Sequence, residues 1–128
     1  MTAPESFTLE EGYARYRPVG EISLQAGAEL VGKAIAFAAE AGVRKLLVDI
    51  TRLTGFDRPD ITARFSIVET WARAAPPGMR FVMVARPEFI DRAKFGVTVA
   101  RNRGMTANVF ASEREALDWL LSAEGPFD

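Results

Sequence analysis

Three short apolar segments that alternate with helical segments constrain the fold of this chain more than any other feature. The runs KLLVDI (residues 45–50), RFVMVA (80–85) and TANVF (106–110) have the length and the flanks of strands. Their continuous apolar character is typical of strands that are buried on both faces. Strands that are separated by helices run parallel, with right-handed crossovers. The alternation therefore predicts an α/β fold, in which helices cover a largely parallel sheet.

The complete predicted order is β-β-α-β-α-β-α-β-α, a mixed sheet of four to five strands with four helices. Two early strands, within residues 13–19 and 20–24, are expected to form an antiparallel edge. The last helix begins with a capping box, S-x-x-E, at Ser112 and Glu115. The other helices are predicted over residues 25–41, 57–75 and 88–103.

The second of these helices carries an apolar stripe. Ile61, Phe65, Val68 and Ala72 recur at spacings of three and four residues, so they are predicted to share its inner face. Asp57 is expected to cap the start of this helix, with Pro59 in its first turn.

All 128 residues are expected to form one domain, with a core between about residues 12 and 122. The termini, residues 1–6 and 123–128, are predicted to be loose. The first eleven residues are acidic and lack the basic and apolar parts of a signal peptide. Because no apolar run approaches the ~20 residues that span a bilayer, we expect a cytoplasmic protein without stable membrane insertion.

The chain contains no histidine and no cysteine. Their absence excludes a Ser-His-Asp triad, imidazole metal ligands, thiolate zinc sites and disulfides. Carboxylate, lysine or tyrosine chemistry remains open, but the routes to catalysis that use histidine or cysteine are closed. We expect a protein that is not an enzyme and that has no cofactor and no metal.

The charge of the chain is unevenly distributed. The net charge is -1, which argues against a nucleic-acid-binding protein. Residues 58–103 carry nine basic and four acidic side chains, whereas the segments on either side are acidic. Within this basic segment Arg92 and Arg103 are eleven residues apart, so they would share one face of the predicted helix and could bind a phosphate or lipid headgroup. Solvation of the outer helix faces by arginine explains the same pattern and is the favoured interpretation.

Three carboxylates, Asp49, Asp57 and Asp60, surround the end of one predicted strand. Such a cluster could hold Mg²⁺ or act in general acid/base chemistry. Helix capping by Asp57 and Asp60 explains their spacing without a ligand and is favoured.

Several aromatic side chains in the middle of the chain are predicted to be core residues, and some could line a cavity or a subunit interface. Phe56 lies in a predicted loop, where no periodic pattern requires its burial. Phe56 and Phe95 are therefore the aromatic candidates for a binding site.

Three segments resemble one known family. Gly20-Glu21-Ile22 precedes a helix, a strand ending at Asp49 is followed eight residues later by Asp57, and the chain closes with Asn102-Arg103-Gly104 and the segment EALDWL (115–120). In this order they are similar to STAS domains, the bacterial anti-sigma-factor-antagonist fold, and to its SpoIIAA-like branch. That branch is itself described as resembling lipid-binding SEC14-type domains. The resemblance covers about residues 12–122.

In the signalling members of this family, the residue after the opening Asp is a Ser or Thr that a partner kinase phosphorylates. Here that position is Arg58, which Pro59 follows, so the phosphorylation switch cannot be carried over. Thr51, Thr54 and Thr62 are nearby hydroxyl groups, but none of them is at the family position.

The resemblance implies a regulatory domain that binds a protein partner, is a homodimer, or both. Contacts would come from an exposed sheet edge and from the Asp57-Arg58 loop. The alternative is a carrier of a small apolar ligand or lipid, held between the sheet and the second and third helices. A carrier requires a closed apolar cavity of at least a few hundred Å³. The candidate contact residues are Phe56, Asp57, Arg58, Asp60, Arg92, Phe95 and Arg103.

Overall fold

A five-stranded mixed sheet lies at the centre of the computed structural model, which describes residues 3–122. Its order is β1-β2-β4-β6-β7. The edge pair β1 and β2 is antiparallel, and every other neighbouring pair is parallel. A separate parallel pair, β3 and β5, forms a two-stranded sheet. In chain order the strands are β1 (Phe7–Glu10), β2 (Tyr13–Tyr16), β3 (Gly20–Glu21), β4 (Lys45–Asp49), β5 (Leu53–Thr54), β6 (Arg80–Val84) and β7 (Thr106–Phe110).

Helices cover both faces of the main sheet. Three helices pack on one face, against side chains such as Leu46, Val48 and Phe81. The fourth packs on the opposite face, where Leu47 and Val82 contact it. Successive residues of a strand point to opposite faces, so β4 must be apolar throughout. In chain order the helices are α1 (Leu24–Glu40), α2 (Ile61–Ala74), α3 (Phe95–Asn102) and α4 (Glu113–Leu120).

Strands β4, β6 and β7 confirm the prediction from the apolar runs to within one residue at each end. The start of α4 is also confirmed, since the Ser112 hydroxyl accepts the Glu115 N–H and donates to the Glu115 carboxylate. Among residues 3–122, no helix is long and apolar enough to cross a membrane.

Strand β1 precedes the predicted core boundary at residue 12. Three of its four residues are exposed, and no strand was predicted before residue 13. It is held by Phe7, whose ring lies 5.0 Å from that of Phe37 in α1. The expected loose termini include residues 1–2 and 123–128, which lie outside the described residues.

The predicted helix over residues 88–103 is wrong in its first half. A single 3-10 turn covers Pro87–Phe89, and α3 begins only at Phe95. Lys94 has a left-handed backbone, with φ of 51°, which interrupts a continuous helix. Arg92 therefore lies in the preceding turn and does not share a helix face with Arg103, which follows the last residue of α3.

The start of α2 also lies later than predicted. Its N-cap is Asp60, whose carboxylate accepts the Ala63 N–H at 2.8 Å, whereas Asp57 is exposed in the loop. Proline disfavours helical backbone in the residue before it, so Pro59 delays the helix.

Gly55 clamps the loop before α2 onto the start of α1. Its φ is +100°, and a Cβ at this position would lie 2.7 Å from the Ile22 carbonyl oxygen. The Ile22 N–H in turn donates to the Thr54 carbonyl at 2.8 Å. Only glycine allows both the conformation and this close approach.

The clamp predicts a larger loss of stability at Gly55 than at another glycine of positive φ. Gly104→Ala is the matched control, because its φ is +87° and the added Cβ would meet nothing within 4 Å. We expect Gly104→Ala to lower the free energy of unfolding by about 1–2 kcal/mol. Gly55→Ala should lower it by a further 1–3 kcal/mol or so, because backbone must also move. Urea denaturation measures both values, and equal losses would contradict the clamp.

Candidate functional site

A half-enclosed cavity of about 160 Å³ lies between the main sheet and the helices α1, α2 and α3. It reaches Ile50 and Ala85, the residues that follow β4 and β6. In open α/β sheets, ligands bind beyond the carboxyl ends of the strands, so the position is favourable for a site. Its apolar walls are formed by Leu24, Val31, Leu53, Ile67, Val68, Phe81, Met83, Val97, Met105 and Val109, among others.

The cavity is larger than the voids of native cores, which rarely exceed the size of a water molecule. It is half open to solvent, so it is a pocket and not an empty void in the core. The volume is nevertheless smaller than the few hundred Å³ expected of a carrier for a drug-sized ligand.

Phe56 lies at this cavity. Its ring centroid is 5.7 Å from that of Phe89, and both side chains line the cavity. The Arg86 guanidinium lies over the outer part of this pair, 4.9 Å from the Phe89 ring. Phe95, the other aromatic candidate, packs against the core formed by the sheet and α1, α2 and α3, and it does not belong to the cavity lining.

An ion pair between Arg64 and Asp91 forms one polar part of the cavity wall. Their side chains are 13% and 17% exposed, so both charges are largely removed from water. Arg64 also donates to the Pro59 carbonyl at 3.2 Å, and the Asp91 carboxylate accepts the Phe95 N–H at 3.0 Å. The pair joins the starts of α2 and α3 across 27 residues of sequence, and sequence patterning gave no signal for it.

Lys94 lies beside this pair and, with Asn108, also lines the cavity. The Nζ atom donates to Asn108 Oδ1 at 2.8 Å and lies 4.6 Å from the centroid of the Phe110 ring. Phe110 packs against the α4 side of the sheet, so the ammonium group lies around the edge strand. Burial lowers the pKa of Lys94, the nearby Arg101 lowers it further, and Glu115 opposes both effects.

The three carboxylates predicted around one strand end have separate roles. Asp49 is buried and accepts the Thr51 N–H at 2.9 Å and the Thr51 hydroxyl at 2.6 Å. Asp60 caps α2, and Asp57 is exposed in the loop. Among residues 3–122, no group of three acidic, histidine or cysteine side chains could hold a metal ion.

Asp49 belongs to a charged network on the α4 side of the sheet. Arg17 lies 3.3 Å from Asp49 and also pairs closely with Glu113 at the start of α4. Arg15 contacts the same Glu113 carboxylate at 3.0 Å. This network fastens β2 to β4 and α4, which is a structural role.

The apolar stripe of α2 extends beyond the core of the protein. Val68 and Ala72 are buried, as predicted, but Ile61 is 67% exposed and Phe65 is 37% exposed. The Arg103 guanidinium lies 5.5 Å from the Phe65 ring and 3.1 Å from the Glu69 carboxylate. We call the group Asp57, Arg58, Ile61, Phe65 and Arg103 the α2 surface.

The structure thus divides the seven predicted contact residues. Asp57, Arg58 and Arg103 belong to the α2 surface, and Asp60 adjoins it as the helix cap. Arg92 is exposed in the turn before α3. Phe56 turns to the cavity and Phe95 to the core.

Removal of the Asp91 carboxylate should leave the Arg64 cation largely buried without a partner. We expect Asp91→Ala to lower the free energy of unfolding by about 3 kcal/mol. Asp91→Asn should cost less, because its amide oxygen can still accept the Phe95 N–H. Glu69→Ala, which breaks a more exposed pair, should cost under about 1 kcal/mol. Urea denaturation of the three variants tests this order, and an equal cost for Glu69→Ala and Asp91→Ala would contradict it.

Comparison with known proteins agrees with the fold described above. No protein-family model matches the sequence, and no curated protein matches it significantly. The structure is similar to the crystal structure of an anti-sigma factor antagonist from Mycobacterium paratuberculosis, with a TM-score of 0.56. The two chains are 18% identical, and the similarity covers 95% of this chain and 100% of the other. The chain therefore has the STAS fold that the three sequence segments predicted.

Proposed function

We propose that this protein is a non-enzymatic regulatory domain that binds a protein partner through the α2 surface, without phosphate transfer. The exposed half of the α2 stripe carries this proposal. Ile61 and Phe65 are one helical turn apart, so they form one continuous apolar patch. Large apolar side chains exposed together are typical of interaction sites.

The charges around the patch indicate the chemistry of the partner. Arg58 lies in the loop before it, and Arg103 lies over Phe65. Residues 58–103, which include the whole patch, carry a net positive charge. We therefore expect a partner surface with an apolar centre and carboxylates at its rim.

The fold supports a protein-binding role by analogy. The similar structure is described as an anti-sigma factor antagonist, a protein that opposes another protein. One fold can carry many different functions. The contact residues are therefore inferred from the α2 surface and not from the structural similarity.

The exposed edge of the sheet is the proposed route to a homodimer. Strand β1 forms this edge, and Leu9 within it is 75% exposed. Unpaired edge strands can add a strand from a second chain. This contact is separate from the α2 surface, so one protein can form both.

The cavity favours carriage of a small apolar ligand as a second candidate function. Its lining is that of a ligand site, but its volume of about 160 Å³ is below that required of a lipid carrier. Carriage of a lipid therefore stays a prediction. The ligand that the cavity could hold is smaller than a lipid.

Photo-crosslinking should distinguish the two proposed contact surfaces. With p-benzoylphenylalanine at position 61, irradiation in the native cell should give an adduct with one different protein. The additional change Arg58→Glu should reduce that adduct at least tenfold, because it reverses a charge beside the patch. The same probe at position 9 is the matched exposed control and should give only adducts between copies of this chain. Identical adducts at both positions, or none at position 61, would refute the α2 surface.

The missing hydroxyl at position 58 predicts resistance to phosphorylation. After incubation with ATP and the serine kinase of a phosphorylated STAS protein, mass spectrometry should find no phosphate on residues 51–62. Arg58→Ser should gain phosphate at position 58, whereas Arg58→Ala should not. Phosphate on Thr54 or Thr62 of the unaltered chain would show that a switch is present at a different residue.

A further inference from the structure

We propose that the cavity beneath α2 is a binding site for one small neutral apolar molecule, of about the size of a single six-membered ring. The proposal rests on the second candidate function and defines the class of ligand, and it is separate from the proposed protein docking because it involves the inner side of α2 and not the α2 surface. Four observations carry it: the volume of the cavity, its lining, the pairing of the charges at its wall, and its position.

The volume sets the size of the ligand. A cavity of about 150 Å³ lined by Leu, Ile and Phe side chains in another protein stays dry and binds benzene. The cavity here has about 160 Å³, so it can enclose one ring with a small substituent. It is half-enclosed, so a substituent could extend toward solvent.

The lining sets the polarity of the ligand. The walls are apolar on both the sheet side, with Phe81 and Met83, and the helix side, with Val31 and Val68. A polar ligand would leave its hydrogen-bonding groups unsatisfied against these walls, at a large desolvation penalty. Met83 and Met105 are flexible thioether side chains that can adjust to the shape of a ring.

The charged groups at the wall already have partners within the protein. Arg64 and Asp91 neutralise each other, and each has a further hydrogen bond within the protein. Lys94 and Asn108 also line the cavity, and the Lys94 ammonium donates to Asn108 Oδ1. An anion at Arg64 would therefore have to displace the Asp91 carboxylate, and a cation at Asp91 would have to displace Arg64.

Trp71 is a natural reporter of occupancy. Its indole lines the cavity, and its Nε1 donates to the Ala28 carbonyl of α1 at 2.9 Å. The second tryptophan, Trp119, is buried against the opposite face of the sheet. A ring bound in the cavity would shift the indole N–H resonance of Trp71 and leave that of Trp119 in place.

The test uses benzene as the neutral probe and sodium benzoate, which has the same ring with a carboxylate, as the charged probe. With the unaltered chain, benzene should shift the Trp71 indole signal in a ¹H–¹⁵N spectrum and saturate. At saturation it should raise the Tm by about 5 °C. Benzoate at the same concentration should do neither. No saturable Trp71 shift with benzene, equal shifts at both indoles, or stronger binding of benzoate would overturn the proposal.

A cavity-filling variant tests the location. Ala28→Leu adds three carbons at the cavity wall in α1, and Ala36→Leu adds the same atoms at an exposed position of the same helix. Benzene should bind Ala36→Leu as it binds the unaltered chain and should bind Ala28→Leu at least tenfold more weakly. Equal binding by the two folded variants would overturn the site. If Ala28→Leu fails to fold, the two indole signals of the unaltered chain still decide the outcome. Crosslinking of the protein partner at position 61 is a separate measurement. A failure of the cavity proposal would therefore leave the proposal of the α2 surface unaffected, and the reverse also holds.

Discussion

The burial of β4 and β6 on both faces is the constraint on which the rest of this structure depends. Leu46 and Val48 face three helices, while Leu47 between them faces α4. A strand with two apolar sides cannot be left at a solvent-exposed face, so the chain must supply helices on both sides. The parallel direction of the strands then brings the loops after β4 and β6 to the same end of the sheet. Phe56 and Phe89, 33 residues apart in sequence, meet there for that reason.

The helix α2 contributes both to the core and to an exposed surface, because it is longer than the part of the core that it covers. Its last turns bury Val68 and Ala72, whereas Ile61 and Phe65 continue the same stripe beyond the core. Side chains on an adjacent face of the helix, such as Trp71, line the cavity. One helix thus joins an exposed apolar patch to an enclosed apolar volume, and the loop that Gly55 holds in place leads into both.

The elements that depend on local patterning were predictable from the sequence. Strands β4, β6 and β7 and the cap at Ser112 follow from apolar runs and a short motif. The structure of residues 88–94 was not predictable in this way. Their apolar spacing is typical of a helix, but Lys94 adopts a left-handed backbone that interrupts it. Strand β1 was missed because strand pairing and one half-buried ring, that of Phe7, hold an otherwise exposed segment.

By itself, the sequence determined the alternation of strands and helices, the resemblance to STAS domains and the absence of a hydroxyl at position 58. These properties depend on residue type and on spacings of two to four residues, which local geometry converts into faces. Only the tertiary structure decided that Ile61 is exposed while Val68, in the same stripe, is buried. It also decided that Arg64 meets Asp91 and that a cavity remains beneath α2. The physical reason is that burial, ion pairing and void volume depend on how far the packed elements extend over one another, and residue periodicity does not encode that extent.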